Sequence, residues 1–141
     1  MEIFISIEAE KTTESGLADI MKEIRNKLSF LFEDTDIYGT EFNLIAIIPT
    51  CVSDDIWQIS GWKERKLISR NKKEADIRLK MDYHRFINET DKNKYLLFAD
   101  IIIKSVCIVN NKSNGNFNGD RLINDILNAL DISREDLNNL L

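Results

Sequence analysis

The chain has 141 residues, of which 43% are hydrophobic, and a formal net charge of −5 at pH 7. This length suits a single domain with one sizeable core, and the hydrophobic content excludes a disordered chain. No apolar run is long enough to span a bilayer, because the best one, at residues 101–103, is interrupted by Asp100 and Lys104. The N-terminus leads into a strand-like run rather than a secretory signal, so we expect a cytoplasmic protein or one that a partner carries elsewhere.

Charge is distributed unevenly along the chain. Residues 1–60 contain twelve acids and four bases, residues 61–95 eleven bases and six acids, and residues 96–141 four bases and six acids. Clustering of this kind is often no more than a solvated surface. It would also suit an acidic face for a basic partner, or a basic hairpin for an acidic one.

The first half of the chain predicts a strand, a helix and a second strand. Alternating isoleucines indicate a strand at Glu2–Glu10, and helical spacing indicates a helix that follows the capping-type residues 12–16 and ends near Phe32. Its apolar stripe consists of Leu17, Ile20, Met21, Ile24, Leu28, Leu31 and Phe32. Residues Glu41–Ile48 are apolar on both faces, which predicts a central strand, covered on both sides or paired on both edges, that ends at Pro49.

A β-hairpin is predicted for Lys66–Phe86, with its turn at residues 71–74. The second strand of this hairpin alternates more clearly than any other part of the chain. Ile77, Leu79, Met81 and Tyr83 form its apolar face, and Arg78, Lys80, Asp82 and His84 its polar face. Residues 50–63, which precede the hairpin, fit either a short helix from Ser53 to Ile59 or an irregular loop.

Two more helices are predicted, one from about residues 88–91 to about Asn110 and one from about Asn118 to Leu130. Residues 133–136 have the form of a capping box for a last helical turn. The hairpin favours an antiparallel or mixed sheet with helices on one face. We therefore predict an α+β fold: a single domain over residues 1–141, with a mostly antiparallel sheet of about four strands, two long helices packed on it and a C-terminal helical segment.

No catalytic, metal or cofactor constellation is recognisable. The one histidine, His84, has no marked nucleophile to activate, and Cys51 and Cys107 lie in no motif, so we expect free thiols and no zinc site. The loop before Gly115 fails as a calcium site because Arg121 stands where a bidentate glutamate is required. The five glycines form no phosphate-binding pattern. We predict no catalytic residues, no cofactor and no metal.

The predicted hairpin region is rich in cations. They are Lys63, Arg65, Lys66, Arg70, Lys72, Lys73, Arg78, Lys80 and Arg85. Phosphate groups could bind such a patch, which makes a nucleic-acid-binding accessory domain our alternative hypothesis. Four acids interleave with these cations, however, and cross-strand ion pairs account for the same residues without any ligand.

Several features follow one another in a fixed order. The strand Ile3-Phe4-Ile5-Ser6 precedes a helix, and Tyr38-Gly39 precedes an apolar strand with Ala46-Ile47-Ile48. The block at residues 72–83 comes next, with Phe86 close behind it, and a later helix carries residues 102–106. Over about residues 2–109 this series resembles the immunity protein 44 family of bacterial polymorphic toxin systems, and residues 72–80 are its most specific part.

The resemblance implies a small cytoplasmic antitoxin. Such a protein binds the toxic C-terminal domain of a secreted effector encoded beside it, and it blocks the toxin's active site or locks an inactive form without any chemistry of its own. Many such toxins are nucleases with basic clefts, which an acidic surface would complement, and charge complementarity would speed association. The sequence does not decide whether the protein forms a homodimer through a sheet edge or through the last helices.

Interface chemistry selects candidate toxin contacts, because Trp, Tyr and Arg dominate the energetic centres of interfaces. Trp57 and Trp62, which lie near Asp54 and Asp55, are the first choice, and Glu41 and the turn with Glu33, Asp34 and Asp36 are weaker candidates. The alternative for each tryptophan is a core or rim position. The alternative for the acidic residues is a position in a solvated turn.

Overall fold

The computed structural model describes residues 2–5, 17–32, 38, 42–52, 57–67, 72–112 and 117–140. Within them, four strands form one sheet in the order β1–β2–β4–β3: β1 Glu2–Ile5, β2 Phe42–Val52, β3 Trp57–Leu67 and β4 Lys72–Asp82. The helices are α1 Leu17–Leu28, continued by a 3-10 turn at Ser29–Phe32, α2 Tyr83–Ile87, α3 Asp91–Lys112, α4 Gly119–Leu130 and α5 Arg134–Asn138. The α+β class is confirmed, whereas a single domain over residues 1–141 stays a prediction.

The sheet is mixed, so the prediction of a mostly antiparallel sheet is wrong. β1 pairs with β2 and β2 pairs with β4 in parallel, and only β3 and β4 pair antiparallel. Two strands joined through a helix can run parallel, as β1 and β2 do on either side of α1. The link from β2 to β3 covers residues 53–56, and four residues reach about 13 Å when extended, enough to cross two strand spacings of about 4.8 Å. β4 then returns between β2 and β3.

Two predictions for the residues before the hairpin are wrong. β2 continues through Pro49 to Val52, and the described pairing of β1 with β2 ends at Ile47, before the proline. A proline is tolerated in a strand where its missing N–H faces no ladder. β3 begins at Trp57, so the predicted helix from Ser53 to Ile59 does not extend into residues 57–59. Residues 53–56 lie outside the described part of the chain.

The antiparallel strand pair is confirmed, but its limits differ from the prediction: its first strand, β3, begins at Trp57 rather than at Lys66. Residues 72–74 belong to β4 rather than to the turn. At the other end, Tyr83 and His84 begin α2, because Asp82 caps that helix: its Oδ1 accepts hydrogen bonds from the backbone nitrogens of His84, at 2.9 Å, and Arg85, at 3.3 Å. The capping aspartate therefore overrides the alternation that extended the strand to His84.

One face of the sheet carries the hydrophobic core. The strand residues in this core are Phe42, Ile45, Ile47, Ala75, Ile77, Leu79 and Met81, with Trp57, Ile59 and Trp62 packed against them. They share the core with side chains from α1, α2, α3 and α4. The predicted apolar face of β4 is thus confirmed for Ile77, Leu79 and Met81. A regular strand sends alternate residues to opposite faces, and none of the described side chains on the other face of the sheet belongs to this core.

Helix α3 is buried around most of its circumference. Its buried residues are Leu96, Leu97, Phe98, Ala99, Ile101, Ile102, Ile103, Ser105, Val106 and Val109. The sequence predicted one amphipathic stripe here, but a helix enclosed by neighbours is apolar on several sides. α3 contacts α1, α4 and α5, and Phe98 meets Trp57 of β3 edge to face at 5.9 Å. No described helix is long and apolar enough to cross a membrane.

The predicted start signals of the later helices are confirmed. Thr90 Oγ1 accepts from the backbone nitrogen of Asn93 at 3.1 Å, at the start of α3, and Asn118 caps α4. Ser133 and Asp136 form the predicted capping box of α5, with bonds of 2.9 Å and 3.1 Å. The apolar residues at helical spacing in α4 are buried: Leu122, Ile123, Ile126, Leu127 and Leu130.

Tyr38, which precedes β2, is hydrogen-bonded to α4 and to its N-cap residue. Its side chain is buried and donates a hydrogen bond to Asp125 Oδ2 at 2.7 Å, and its carbonyl oxygen accepts from the backbone nitrogen of Asn118 at 2.8 Å. Burial, together with the bond to Asp125, raises the pKa of Tyr38 to about 12. Its phenol therefore stays protonated and keeps donating over the physiological pH range.

Gly119 allows a close approach between α3 and α4. Its backbone nitrogen donates to Asn110 Oδ1 at 3.3 Å, and a Cβ at this position would lie 2.6 Å from Asn110 Cβ. A Cβ at Gly61, by contrast, would meet nothing within 4 Å. The two glycines therefore form a matched pair for testing the helix packing.

Gly119→Ala is expected to lower the free energy of unfolding by about 1–3 kcal/mol, because α3 and α4 must separate to relieve the overlap. Gly61→Ala should change it by less than about 0.5 kcal/mol, since open space surrounds that position. Urea unfolding of both variants provides the measurement. Equal stability of the two variants would contradict the close approach at Gly119.

Candidate protein-binding surface

Trp57 is part of an aromatic cluster in the core. Its ring stacks on Phe86 at 5.6 Å with an interplanar angle of 10°, and it meets Phe98 edge to face. Phe86 and Phe98 also contact each other at 5.6 Å. Trp57 is half-buried, and its buried Nε1 has no hydrogen-bond partner in the structure. This geometry gives Trp57 a packing role, and a role in toxin contact stays a prediction.

Trp62 is less enclosed than Trp57. It lies on the same face of the sheet, in register with Ile77, and is half-buried at the margin of the core. The Lys112 ammonium lies 6.0 Å from the centre of its ring. Of the two tryptophans, Trp62 therefore has the surroundings better suited to contact with a partner.

The other predicted contacts, Asp54, Asp55 and Glu41, lie outside the described residues. The acidic turn at residues 33–36 does as well. Of the sequence-predicted site residues, the structure describes Trp57 and Trp62, which face the same side of β3. The predicted acidic surface stays a prediction.

The opposite face of the sheet combines apolar and charged side chains, and we call it the helix-free face. It carries Leu44, Ala46 and Ile48 of β2, Glu74, Asp76, Arg78 and Lys80 of β4, and Lys63 and Arg65 of β3. The sequence signal for this surface was present in the double-sided apolar pattern of β2. It was missed because both sides were expected to be covered.

Two carboxylates on the helix-free face are buried beneath one guanidinium. Glu74 is 5% exposed and Asp76 8% exposed. Arg65 Nε lies 3.0 Å from Asp76 Oδ2 and 2.9 Å from Glu74 Oε2, and Arg65 Nη2 also contacts Glu74. Glu74 faces Arg65 directly across the strands and Asp76 lies diagonally, the two positions that allow cross-strand pairs.

Burial raises the pKa of Asp76 above its ordinary value, and the neighbouring carboxylate of Glu74 raises it further. The positive charges of Arg65 and Arg78 act in the opposite direction. Asp76 Oδ1 is buried without a hydrogen-bond partner in the structure. Arg65, with a contribution from Arg78, therefore offsets part of the cost of burying two carboxylates on the sheet.

Several other cations of the predicted basic hairpin are also paired. Lys73 Nζ lies 2.9 Å from Glu64 Oε1, and Arg85 lies 3.9 Å from Glu89. Lys63, Arg78 and Lys80 are exposed. The cations do not form one continuous patch, because the period-2 geometry distributes them over both faces of the sheet.

Groups that could support other kinds of chemistry are sparse among the described residues. No cluster of three His, Cys, Asp or Glu side chains could hold a metal ion there. His84 is exposed on α2, and Cys107 is a half-buried free thiol whose pKa is raised by burial. Phe30 is 59% exposed, but a single exposed apolar side chain is common on protein surfaces and assigns no site.

The raised pKa of Asp76 predicts how its contribution to stability changes with pH. The folded state binds the Asp76 proton more tightly than the unfolded state, so this contribution grows as pH falls through the folded pKa. Urea unfolding of the wild type and of Asp76→Asn at several pH values between about 7 and 4 should show the wild type gaining stability relative to the variant. A stability difference that is constant with pH, or that moves the other way, would contradict the assignment.

The packing role of Trp57 predicts a graded response to substitution. Trp57→Phe preserves the stacking on Phe86 and removes a buried N–H that has no partner, so we expect a loss of less than about 1.5 kcal/mol. Trp57→Ala should cost about 3 kcal/mol, because it leaves a cavity in the aromatic cluster. Similar losses for both variants in urea unfolding would argue against packing as the main role.

Comparison with known proteins gives one family. The model of the family described as immunity protein 44 matches residues 1–132 of the 141-residue chain. No curated protein and no solved structure matches the chain. The matched range includes every strand, helices α1 to α4 and both tryptophans. The chain therefore belongs to the immunity protein 44 family.

Proposed function

We propose that this protein is an antitoxin that binds the C-terminal toxin domain of a polymorphic or contact-dependent toxin and neutralises it by occluding the active site. The observation that carries the proposal is the family match over residues 1–132. The toxin domain is a protein encoded beside this gene, and a nuclease is one activity that fits it. The proposed complex contains one copy of each protein and turns over no substrate.

The chemistry of the described residues supports a binding role. Inhibition by occlusion requires a folded surface that is complementary to the toxin, and it requires no nucleophile or general base on the inhibitor. Tight inhibitory complexes typically bury about 800 Å² per partner, which a chain of this size can supply from one face. A preformed sheet loses little conformational entropy on binding, which favours affinity.

Trp62, Asp54, Asp55 and Glu41 remain proposed contacts of the toxin. Of these residues, Trp62 has a described environment, at the margin of the core beside Lys112. An aromatic side chain at a margin can bury its exposed part against a partner without changing the core. Trp57 is a weaker proposed contact because two phenylalanines already enclose its ring.

The alternative of nucleic-acid binding through the hairpin at residues 63–85 has less support from the structure. Arg65, Lys73 and Arg85 of this region are close to acidic side chains, so part of the positive charge is already compensated. A phosphate backbone would have to compete with these ion pairs. We therefore retain protein binding as the proposed function.

Co-expression tests the proposal. We expect the tagged protein and the toxin domain encoded beside it to purify as a stable 1:1 complex, with a dissociation constant on the order of nanomolar, as in other inhibitory complexes of this interface size. Expression of the toxin domain alone should stop growth, and co-expression of this protein should restore it. A toxin domain from an unrelated locus is the control and should not bind.

Three results would contradict the proposed function or its mechanism. If the neighbouring domain is harmless to cells and does not bind, the antitoxin function is wrong. Binding without rescue of growth would contradict inhibition while preserving the interaction. A catalytic amount of this protein that neutralises an excess of toxin would contradict the proposed stoichiometric mechanism.

A further inference from the structure

Strand β2 is apolar toward both sides of the sheet, but the core occupies one side. Ile45 and Ile47 are completely buried in the core. Leu44 and Ile48, which point to the other side, are half-buried and do not belong to the core cluster. β2 lies between β1 and β4, and a central strand that is apolar on both faces normally has a layer on each. In the part of the chain that the structure describes, the second layer is missing.

The rim of this apolar strip is positively charged. In the sheet register, Arg78 is opposite Ile48 and Lys80 is opposite Thr50, so both cations lie directly beside the strip. Arg78 is also in register with Gly61 of β3. A Cβ at Gly61 would meet no atom within 4 Å, so the surface beside Arg78 is open. Lys63, in register with Asp76, extends the positive rim onto β3.

The acids of the helix-free face do not cancel this charge. The described side chains of this face include four cations, Lys63, Arg65, Arg78 and Lys80, against the carboxylates Glu74, Asp76 and Asp82. Glu74 and Asp76 are at most 8% exposed beneath Arg65, and Asp82 is 9% exposed and caps α2. The side chain of Arg65, by contrast, is 56% exposed. A partner would therefore meet the cations first. The surface it meets is basic, although the whole chain has a net charge of −5.

We propose that the helix-free face is the docking surface for the toxin domain, and that the toxin presents to it an apolar patch surrounded by acidic side chains. This inference rests on the proposed function and adds the contact face and the chemistry of the partner's surface. It also places the centre of the interface on the opposite side of β3 from Trp62. The acidic rim pairs with Lys63, Arg78 and Lys80, and the apolar patch covers Leu44 and Ile48.

The dimensions of the face are compatible with this role. Three strands of 11 residues, β2, β4 and β3, form most of it. With strand spacings of about 4.8 Å and a rise of about 3.3 Å per residue, they cover on the order of 500 Å². Side chains at the sheet edges add to this area, which brings it near the roughly 800 Å² per partner of a standard interface. An apolar centre with a charged rim is also the usual anatomy of such an interface.

If the toxin is inhibited by occlusion, the charge of the face indicates what kind of site is covered. A basic surface complements an active site lined by carboxylates better than a basic phosphate-binding cleft. The expected toxin therefore exposes carboxylates at or beside its catalytic centre. This differs from inhibition by an acidic surface that mimics phosphate, which would require the acidic segments of the chain at the interface.

The test compares two charge-reversal variants in the full-length chain bound to the neighbouring toxin domain. Arg78→Glu/Lys80→Glu reverses two cations on the helix-free face. Lys22→Glu/Lys92→Glu makes the same change in net charge at exposed positions on α1 and α3. We expect the first variant to raise the dissociation constant by about 30-fold or more, mainly through slower association, and the control to raise it by less than about threefold.

A third variant addresses the apolar strip. Ile48→Thr preserves β-branching and strand propensity, so the fold should tolerate it. We expect about tenfold faster dissociation with little change in the association rate, because the substitution removes apolar contact and no charge. Thermal unfolding of each variant confirms that its fold is intact.

A second measurement uses the wild-type protein and does not depend on variants that fold. Lysine acylation should show Lys63 and Lys80 protected in the complex, while Lys22 and Lys92 remain reactive. The reverse pattern would overturn the proposed docking face, as would equal loss of affinity in the two charge-reversal variants. A large effect of Trp62→Phe without any effect at Arg78 and Lys80 would also overturn it.

These outcomes separate the two proposals. If the wild-type chain binds the toxin domain but the helix-free face is not involved, the docking face is wrong and the antitoxin function stands. If the wild type binds no neighbouring toxin domain, both fail. Low-salt binding of an oligonucleotide that is abolished by Arg78→Glu/Lys80→Glu, with toxin affinity unchanged, would assign the face to nucleic acid instead.

Discussion

Burial of α3 between the sheet and the other helices is the constraint on which the rest of the fold depends. Its residues 96–103 are buried on nearly every side, apart from the half-buried Asp100, and Ser105 is fully buried with its hydroxyl donating to the Ile101 carbonyl oxygen at 2.7 Å. A helix enclosed in this way needs apolar surfaces around it. β2 and β4 supply one, and α1 and α4 supply others. Placing α3 on one face also determines which side of the sheet is left open.

The sequence predicted the elements better than their arrangement. Helices α3, α4 and α5 agree with their apolar spacing and caps, because those signals are local and their hydrogen bonds form within a few residues. The parallel pairing of β2 with β4 depends on β4 returning between β2 and β3. Local sequence propensity does not determine this strand order. The strand end predicted at Pro49 was wrong for a similar reason. Proline interrupts a strand only where a neighbouring strand would accept a hydrogen bond from the backbone N–H that proline lacks.

The candidate site was predicted less well, because a tryptophan in the sequence does not reveal its neighbours. The aromatic cluster of Trp57, Phe86 and Phe98 joins three elements that are distant in the chain, and only the fold shows that Trp57 is already enclosed. The helix-free face was implicit in the apolar residues of β2. The sequence could not show that no described layer packs on this face, because an apolar strand has the same composition whether one of its faces or both are packed.

Charge illustrates the difference between composition and surface. The hairpin region has an excess of cations in the sequence, and its period of two residues divides them between a side where Lys73 pairs with Glu64 and a side where Arg78 and Lys80 stay exposed. Arg65 pairs with the two buried carboxylates beside those cations and offsets part of their negative charge. A negatively charged chain can therefore present a positive face to a partner. Since exposed charges act mainly on association rate and partner choice, such a face would favour one acidic toxin surface over others while the apolar strip supplies most of the affinity.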